Sequence, residues 1–210
     1  MIFFSKKVPK EIRVILFYCV YTFLNDCTIV WANSSDLGFD LSSIVLSIFT
    51  VIEFLFFAYI LFLTLKRNIF KVLISILAPL FIIFSTYLFI KAPPASIDAI
   101  PITVENILLI IICLCYFFEE INKPNTTFIY SSYTFWIVVG ILIYSTGTFF
   151  LFMQANKLSE AEWEKYIPIN HVFTSIKNIF FSVAIIINKR SKPIKNPPGI
   201  YDNLQNRSFS

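Results

Sequence analysis

Asp26, Glu53, Glu105 and Lys177 are the side chains of this sequence best suited to chemistry, because each sits inside an apolar stretch where an ionised group is expensive. At mid-bilayer such a charge costs about 2.5–3.5 kcal/mol on insertion scales. Groups that costly are expected to face one another or water rather than lipid. Three carboxylates against one lysine do not balance, so either one carboxyl holds a proton or a cation or cationic group joins them.

Polar neighbours share faces with these four. In the last apolar stretch His171, Ser175, Asn178 and Ser182 follow i, i+4, i+7, i+11 spacing, and Asn170, Thr174 and Lys177 form the adjoining row. The second stretch offers Ser43, Ser47 and Thr50 with Glu53 a turn further on, and the first offers Tyr18, Thr22 and Asn25 beside Asp26. The candidate polar pocket is therefore Asn25, Asp26, Glu53, Glu105, His171, Lys177 and Asn178. Each also has a plain structural reading. Lys177 with Glu53 serves as an internal ion pair fixing helix register. Glu105 favours the positive end of a helix dipole. His171 hydrogen-bonds at a boundary, and Asp26 reaches out to water.

The elements that must hold these residues are six apolar stretches at about 12–31, 41–65, 70–90, 101–118, 133–153 and 168–188, each near the roughly 20 residues of a bilayer-spanning helix. Composition demands such a solvent. The 210 residues are 57% apolar and only 14% charged, against about 25% charged in soluble domains, so there are too few charges to cover a soluble surface. Helix is expected over strand, since each run is about twice the length of a barrel strand and period-two alternation is absent. The fold class expected is an all-α polytopic transmembrane bundle of six spans, with one membrane domain at 1–188 and a short, basic, disordered tail at 189–210. Pro101 and Pro168 are expected at helix starts, where a missing amide does no harm, and Pro79 inside the third helix.

Lys and Arg are distributed unevenly about these spans. Lys6, Lys7, Lys10 and Arg13 precede the first, Lys66, Arg67 and Lys71 follow the second, Lys123 follows the fourth, and Lys189, Arg190, Lys192, Lys195 and Arg207 follow the last. The opposite side has Lys91, Lys157 and Lys165. The positive-inside rule then puts both termini in the cytoplasm, with Trp31 and Trp163 at the outer interface and Trp136 at the inner one. On this topology Asn25, Asp26, Glu53, Glu105, His171 and Lys177 all fall between the midplane and the outer surface, where a water-filled pocket among the first, second, fourth and sixth helices is expected. Ser159 and Glu162 have the spacing of a capping box before a short surface helix that carries Trp163 and Tyr166. The opening Met1-Ile-Phe-Phe, followed by Ser-Lys-Lys, has the look of the cytoplasmic end of one more helix; an upstream start would give seven spans, and the sequence as it stands gives six.

Enzyme signatures are mostly missing, and Ser145-Thr146-Gly147 in the fifth stretch lacks a base nearby in sequence and reads as packing. The chain has no H-E-x-x-H, no G-x-S-x-G and no Walker loop, and His171 is its one histidine. Cys19, Cys27, Cys113 and Cys115 lack metal-ligand spacing and read as small packing residues. No catalytic residue, metal site or cofactor is assigned. Basic residues at helix ends argue for anionic headgroups rather than nucleic acid.

The runs Ser47-Ile-Phe-Thr-Val-Ile-Glu-Phe-Leu-Phe-Phe-Ala-Tyr, Val104-Glu-Asn-Ile-Leu-Leu-Ile, Phe135-Trp-Ile-Val-Val-Gly-Ile-Leu-Ile-Tyr-Ser-Thr-Gly and Ile176-Lys-Asn-Ile-Phe-Phe resemble a group of uncharacterised multi-pass proteins of the Bacteroidota inner membrane. That resemblance implies a seven-helix-like topology here lacking its first helix, a bacterial inner membrane as location, and Glu53, Glu105, Lys177 and Asn178 as site candidates. The expected function is a non-enzymatic receptor or sensor-like module. Its outward polar pocket takes a small ligand or cation, and its basic tail meets a cytoplasmic or membrane signalling protein or anionic lipid. An intramembrane lipid-acting enzyme or small-solute transporter at the same pocket is the alternative.

Overall fold

Unbroken apolar sequence with few glycines leaves the backbone one way to satisfy its amides in lipid, and the chain takes it. The computed structural model describes residues 8–34, 38–91, 99–122, 129–155 and 160–190. They form α1 (Lys10–Ser34), α2 (Gly38–Thr64), α3 (Asn68–Lys91), α4 (Ala99–Ile121), α5 (Tyr133–Ala155) and α6 (Glu160–Arg190), with a 3-10 turn at Ile129–Ser131 before α5. All six are long and apolar enough to cross a bilayer. The protein is a multi-pass membrane helix bundle.

The helices run up and down. Tyr133 at the start of α5 reaches Glu11 near the start of α1, and the backbone of Lys66 after α2 meets Glu119 near the end of α4. At the opposite end, Ala99 and Ile102 pack with Leu151 and Phe152. One end of the bundle therefore gathers Lys10, Arg13, Lys66, Arg67, Lys71, Lys189 and Arg190, and is called the basic end below; the other is the Ala99 end. The basic residues Lys123 and Lys157, the capping residue Ser159 and the tail at 191–210 lie outside the described residues.

Burial separates an inner layer from a lipid-facing one. α4 has a stripe of buried residues at three- and four-residue spacing, Ile102, Glu105, Asn106, Leu109, Ile112, Cys113 and Tyr116, and it packs against α2, α3 and α5. α3 buries only Ile74, Phe81 and Ser85 and exposes Ile69, Ile76, Ile83 and Ile90, which suits an outer helix in hydrocarbon. α5 and α6 approach closely because two α5 residues lack a side chain. A Cβ on Gly140 would stand 2.9 Å from the Phe180 Cβ and 3.4 Å from the Lys177 carbonyl oxygen, and one on Gly147 would enter the Phe173 ring.

Two boundaries differ from the sequence expectation for physical reasons. α6 starts at Glu160, so Pro168 is interior rather than initial, and the stretch expected as a separate surface helix is the first part of α6. Residues 160–166 are mostly good helix formers with acids near the positive end, which outweighs the hydrogen bond that Pro168 cannot make. α4 runs on through the buried Glu119 and Glu120 to Ile121, past the expected end at 118.

Glu119 explains that extension. Its carboxylate accepts the backbone amides of Lys66 (3.0 and 3.1 Å) and Arg67 (3.2 Å), capping the tight α2–α3 connection just ahead of the first turn of α3. Replacing Glu119 by Gln removes the charge and one acceptor lobe. Denaturant unfolding in mixed micelles should show a loss of about 1.5 kcal/mol, the worth of a charged hydrogen bond.

Candidate functional site

Lys177 reaches from the middle of α6 into the bundle, because the face of α6 carrying Asn170, Thr174 and Lys177 is turned toward α5 while its neighbour row is turned out. Its Nζ donates to the Tyr18 hydroxyl on α1 and to Glu53 Oε1 on α2, the latter at 3.3 Å. Tyr18 in turn donates to Glu53 Oε1, and Tyr144 on α5 donates to Glu53 Oε2 at 3.0 Å. One carboxylate and one ammonium thus tie together α1, α2, α5 and α6.

Aromatic rings close the space around the ammonium. Lys177 Nζ lies 3.7 Å from the Tyr144 ring centroid, 4.8 Å from Tyr18 and 5.0 Å from Phe57, each within cation–π range. Phe181 packs edge-on against Tyr18 and Phe57. Lys177 is 1% exposed and Glu53 4%. In a dry setting the pair must satisfy its own donors and acceptors, and both tyrosine hydroxyls are spent on Glu53. Substituting Tyr144 by Phe strips Glu53 Oε2 of its donor with little change of shape. About 1.5 kcal/mol of unfolding free energy should be lost, measured by denaturant titration.

Glu105 is also buried, within electrostatic reach of Glu53 and Lys177, but its Oε1 has no hydrogen-bond partner. Asn25 is nearly buried on α1. Asp26 and His171 are exposed on α1 and α6 and within electrostatic reach of each other, on the Ala99 side of the Lys177 bridge. Asn178 is exposed, and so are Ser175 and Ser182, whose hydroxyls donate to the carbonyls of His171 and Asn178 one turn back. The structure therefore unites Glu53 and Lys177 with Glu105 close by. It leaves Asn25, Asp26 and His171 on α1 and α6 on the Ala99 side of that bridge, and it leaves Asn178 on the outer surface of α6.

Two participants were not singled out from sequence: Tyr144 and Phe57 complete the cage. Ser145, which reads from sequence as a packing residue, is wholly buried with an unpartnered hydroxyl. The signal for Tyr144 was present: a phenol midway along an apolar helix needs a hydrogen-bond partner. Nothing in the sequence distinguishes Phe57 among 25 phenylalanines.

A separate groove of about 390 Å³ opens between α2 and α3, lined by Ser47, Ile48, Val51, Ile52, Thr86 and Phe89 with Ile90. Its lining is mostly apolar, as suits a lipid tail. Among the described residues no cluster of His, Cys, Asp and Glu could hold a metal ion, and all four cysteines are free thiols. Comparison with family models, with curated proteins and with solved structures returned no match.

Proposed function

We propose that this protein is a non-enzymatic receptor or sensor-like membrane module whose responsive element is the Lys177–Glu53 centre. The observation that supports this is the convergence of four helices on one buried ammonium. Most of the described side-chain hydrogen bonds lie within a helix, whereas those of Lys177 join α6 to both α1 and α2. A small polar ligand or cation that meets Asn25, Asp26 and His171 on the Ala99 side of the bridge competes for that link and changes the seating of α6. The change then reaches Lys189 and Arg190 at the basic end, next to the tail.

By the positive-inside rule the basic end faces the cytoplasm, so both termini are inside and Asp26 and His171 lie toward the outer face. The tail at 191–210, with Lys192, Lys195 and Arg207, is suited to anionic lipid or to an acidic face of a signalling partner. The location proposed is a bacterial inner membrane, in line with the resemblance to uncharacterised Bacteroidota proteins. Lys177 and Glu53 are buried and closed in by the Tyr18, Phe57 and Tyr144 rings, a poor place for water to attack a substrate, which favours sensing over the lipid-acting alternative.

The test pairs function with chemistry. Cells that express wild-type protein, Glu53→Gln or Lys177→Met are compared by lipid profiling, and the purified proteins by hydrogen exchange along α6. The reading predicts identical lipid profiles and faster exchange on α6 in both variants. A lipid species that accumulates only when Glu53 or Lys177 is replaced would establish catalysis or transport instead.

A further inference from the structure

Glu105 stands apart from the centre in one respect: its charge has no assigned counterpart. Lys177 is matched by Glu53, with which it is in direct contact at 3.3 Å, and Glu105 Oε1 is left unpartnered while 97% hidden by a residual exposure of 3%. Two further oxygens share that condition nearby. Ser145 Oγ on α5 is fully buried and unpartnered, and Asn106 Oδ1 is unpartnered although its Nδ2 donates to the Ile102 carbonyl at 2.7 Å.

Register brings these atoms to one level. Along the antiparallel α4–α5 contact, Cys113 Sγ meets the Val138 carbonyl and Tyr116 meets Thr134; two turns further toward the Ala99 end, that register sets Glu105 level with Ser145. On the other flank α2 and α4 run parallel, and the Glu119 bonds to Lys66 and Arg67 set Glu105 level with Glu53.

Ser145 on α5 and Ser85 on α3 are both fully buried hydroxyls without a partner. Thr50, Thr64, Thr103, Thr174, Ser175 and Ser182 all donate to the carbonyl four residues earlier, as hydroxyls in apolar helices commonly do. Ser145 does not, so its hydroxyl is free to turn to α4. Carboxylate, hydroxyl and amide oxygens are the donors that hard cations prefer.

We propose that Glu105, Ser145 and Asn106 form a binding site for one monovalent cation, a proton or an alkali ion, between α4 and α5. The bound charge neutralises Glu105 and leaves the Lys177–Glu53 pair balanced. The site stands whether or not α6 transmits a signal. Titratable groups facing Glu105 are Glu53 of α2, Tyr144 of α5, Lys177 of α6 and Tyr18 of α1. On α3, Lys71 and Lys91 lie near the helix ends and Tyr87 is exposed.

Purified protein in nanodiscs of neutral lipid is followed by thermal unfolding in sodium, lithium or potassium chloride against choline chloride of equal ionic strength, and across a pH series. Isotope-edited infrared spectra of glutamate-labelled protein report protonated carboxyl. The wild type should gain in midpoint with an alkali ion at fixed pH, or as pH falls at fixed salt, and Glu105→Gln should abolish the gain. Ser145→Ala separates the two cations: it removes an alkali-ion ligand and so erases that response, while a pH response with a protonated glutamate band survives it. Should Glu105→Gln fail to fold, Ser145→Ala and the infrared band of the wild type carry the test. A wild type with no alkali-ion response and no protonated glutamate band, or responses unchanged in Glu105→Gln, would overturn the proposal.

Discussion

Lys177→Met should lose about 3–5 kcal/mol of stability, because it removes one partner of a buried ion pair and leaves the other charged in a dry site. Met fills much of the lysine stem's volume, so the loss reports charge rather than a cavity. Glu53 would then keep only the Tyr18 and Tyr144 hydroxyls, both donors from neutral groups. Combining Lys177→Met with Glu53→Gln removes both charges together, and most of the loss should return. A denaturant-unfolding double-mutant cycle reads the coupling directly. If the two changes are additive, the ion pair does no work beyond the separate packing of its members. If the double variant exceeds wild type, the centre is retained for something other than stability, which suits a responsive element.

The second large effect concerns backbone approach. Gly140→Val should destabilise the α5–α6 contact by about 3 kcal/mol, at the upper end of overpacking effects. The added Cβ meets the Phe180 Cβ at 2.9 Å and the Lys177 carbonyl oxygen at 3.4 Å, and neither atom sits at the free end of a side chain. Relief requires α6 to move away from α5, and that movement draws Lys177 from its cage. Gly147→Val makes the nominally tighter contact, but with the ring of a half-buried Phe173, which can rotate aside. Gly140→Val is thus expected to cost more than Gly147→Val. Thermal unfolding of the two variants beside wild type gives the order, and the reverse order would show that α6 yields more easily than the Phe173 ring.

How much of this was legible in the sequence depends on the kind of information each feature needs. Six spans follow from hydropathy and length alone, since lipid admits no other apolar architecture for them. The pairing of Glu53 with Lys177 was also readable, because isolated charges at mid-depth must find each other. Which face of α6 points inward was not. Both the His171–Ser182 row and the Asn170–Lys177 row are polar, and Ser175 and Ser182 satisfy their hydroxyls on their own backbone, so the first row tolerates lipid exposure. Lys177 has no such local remedy, and its need decides the rotation of the helix.

The same logic explains Pro168 and Glu119. A proline suggests a helix start, but the preceding residues form helix well enough to absorb one lost bond. Glu119 reads as an end-of-span charge, and only its spatial meeting with the α2–α3 connection reveals a cap. The cage residues Phe57 and Tyr144 come from different helices, and their convergence is set by packing rather than by local pattern.

The claim on which the account turns is that the Lys177 ammonium is held inside the bundle by Glu53. Solid-state NMR on protein in bilayers, with ¹⁵N-lysine and ¹³C-glutamate labels, measures it most directly. At the 3.3 Å Nζ–Oε1 separation, the account predicts a strong dipolar contact between one lysine ¹⁵Nζ and one glutamate carboxyl carbon, absent in Lys177→Met and protected from solvent exchange. A Lys177 signal that exchanges freely with water and shows no glutamate contact would contradict it.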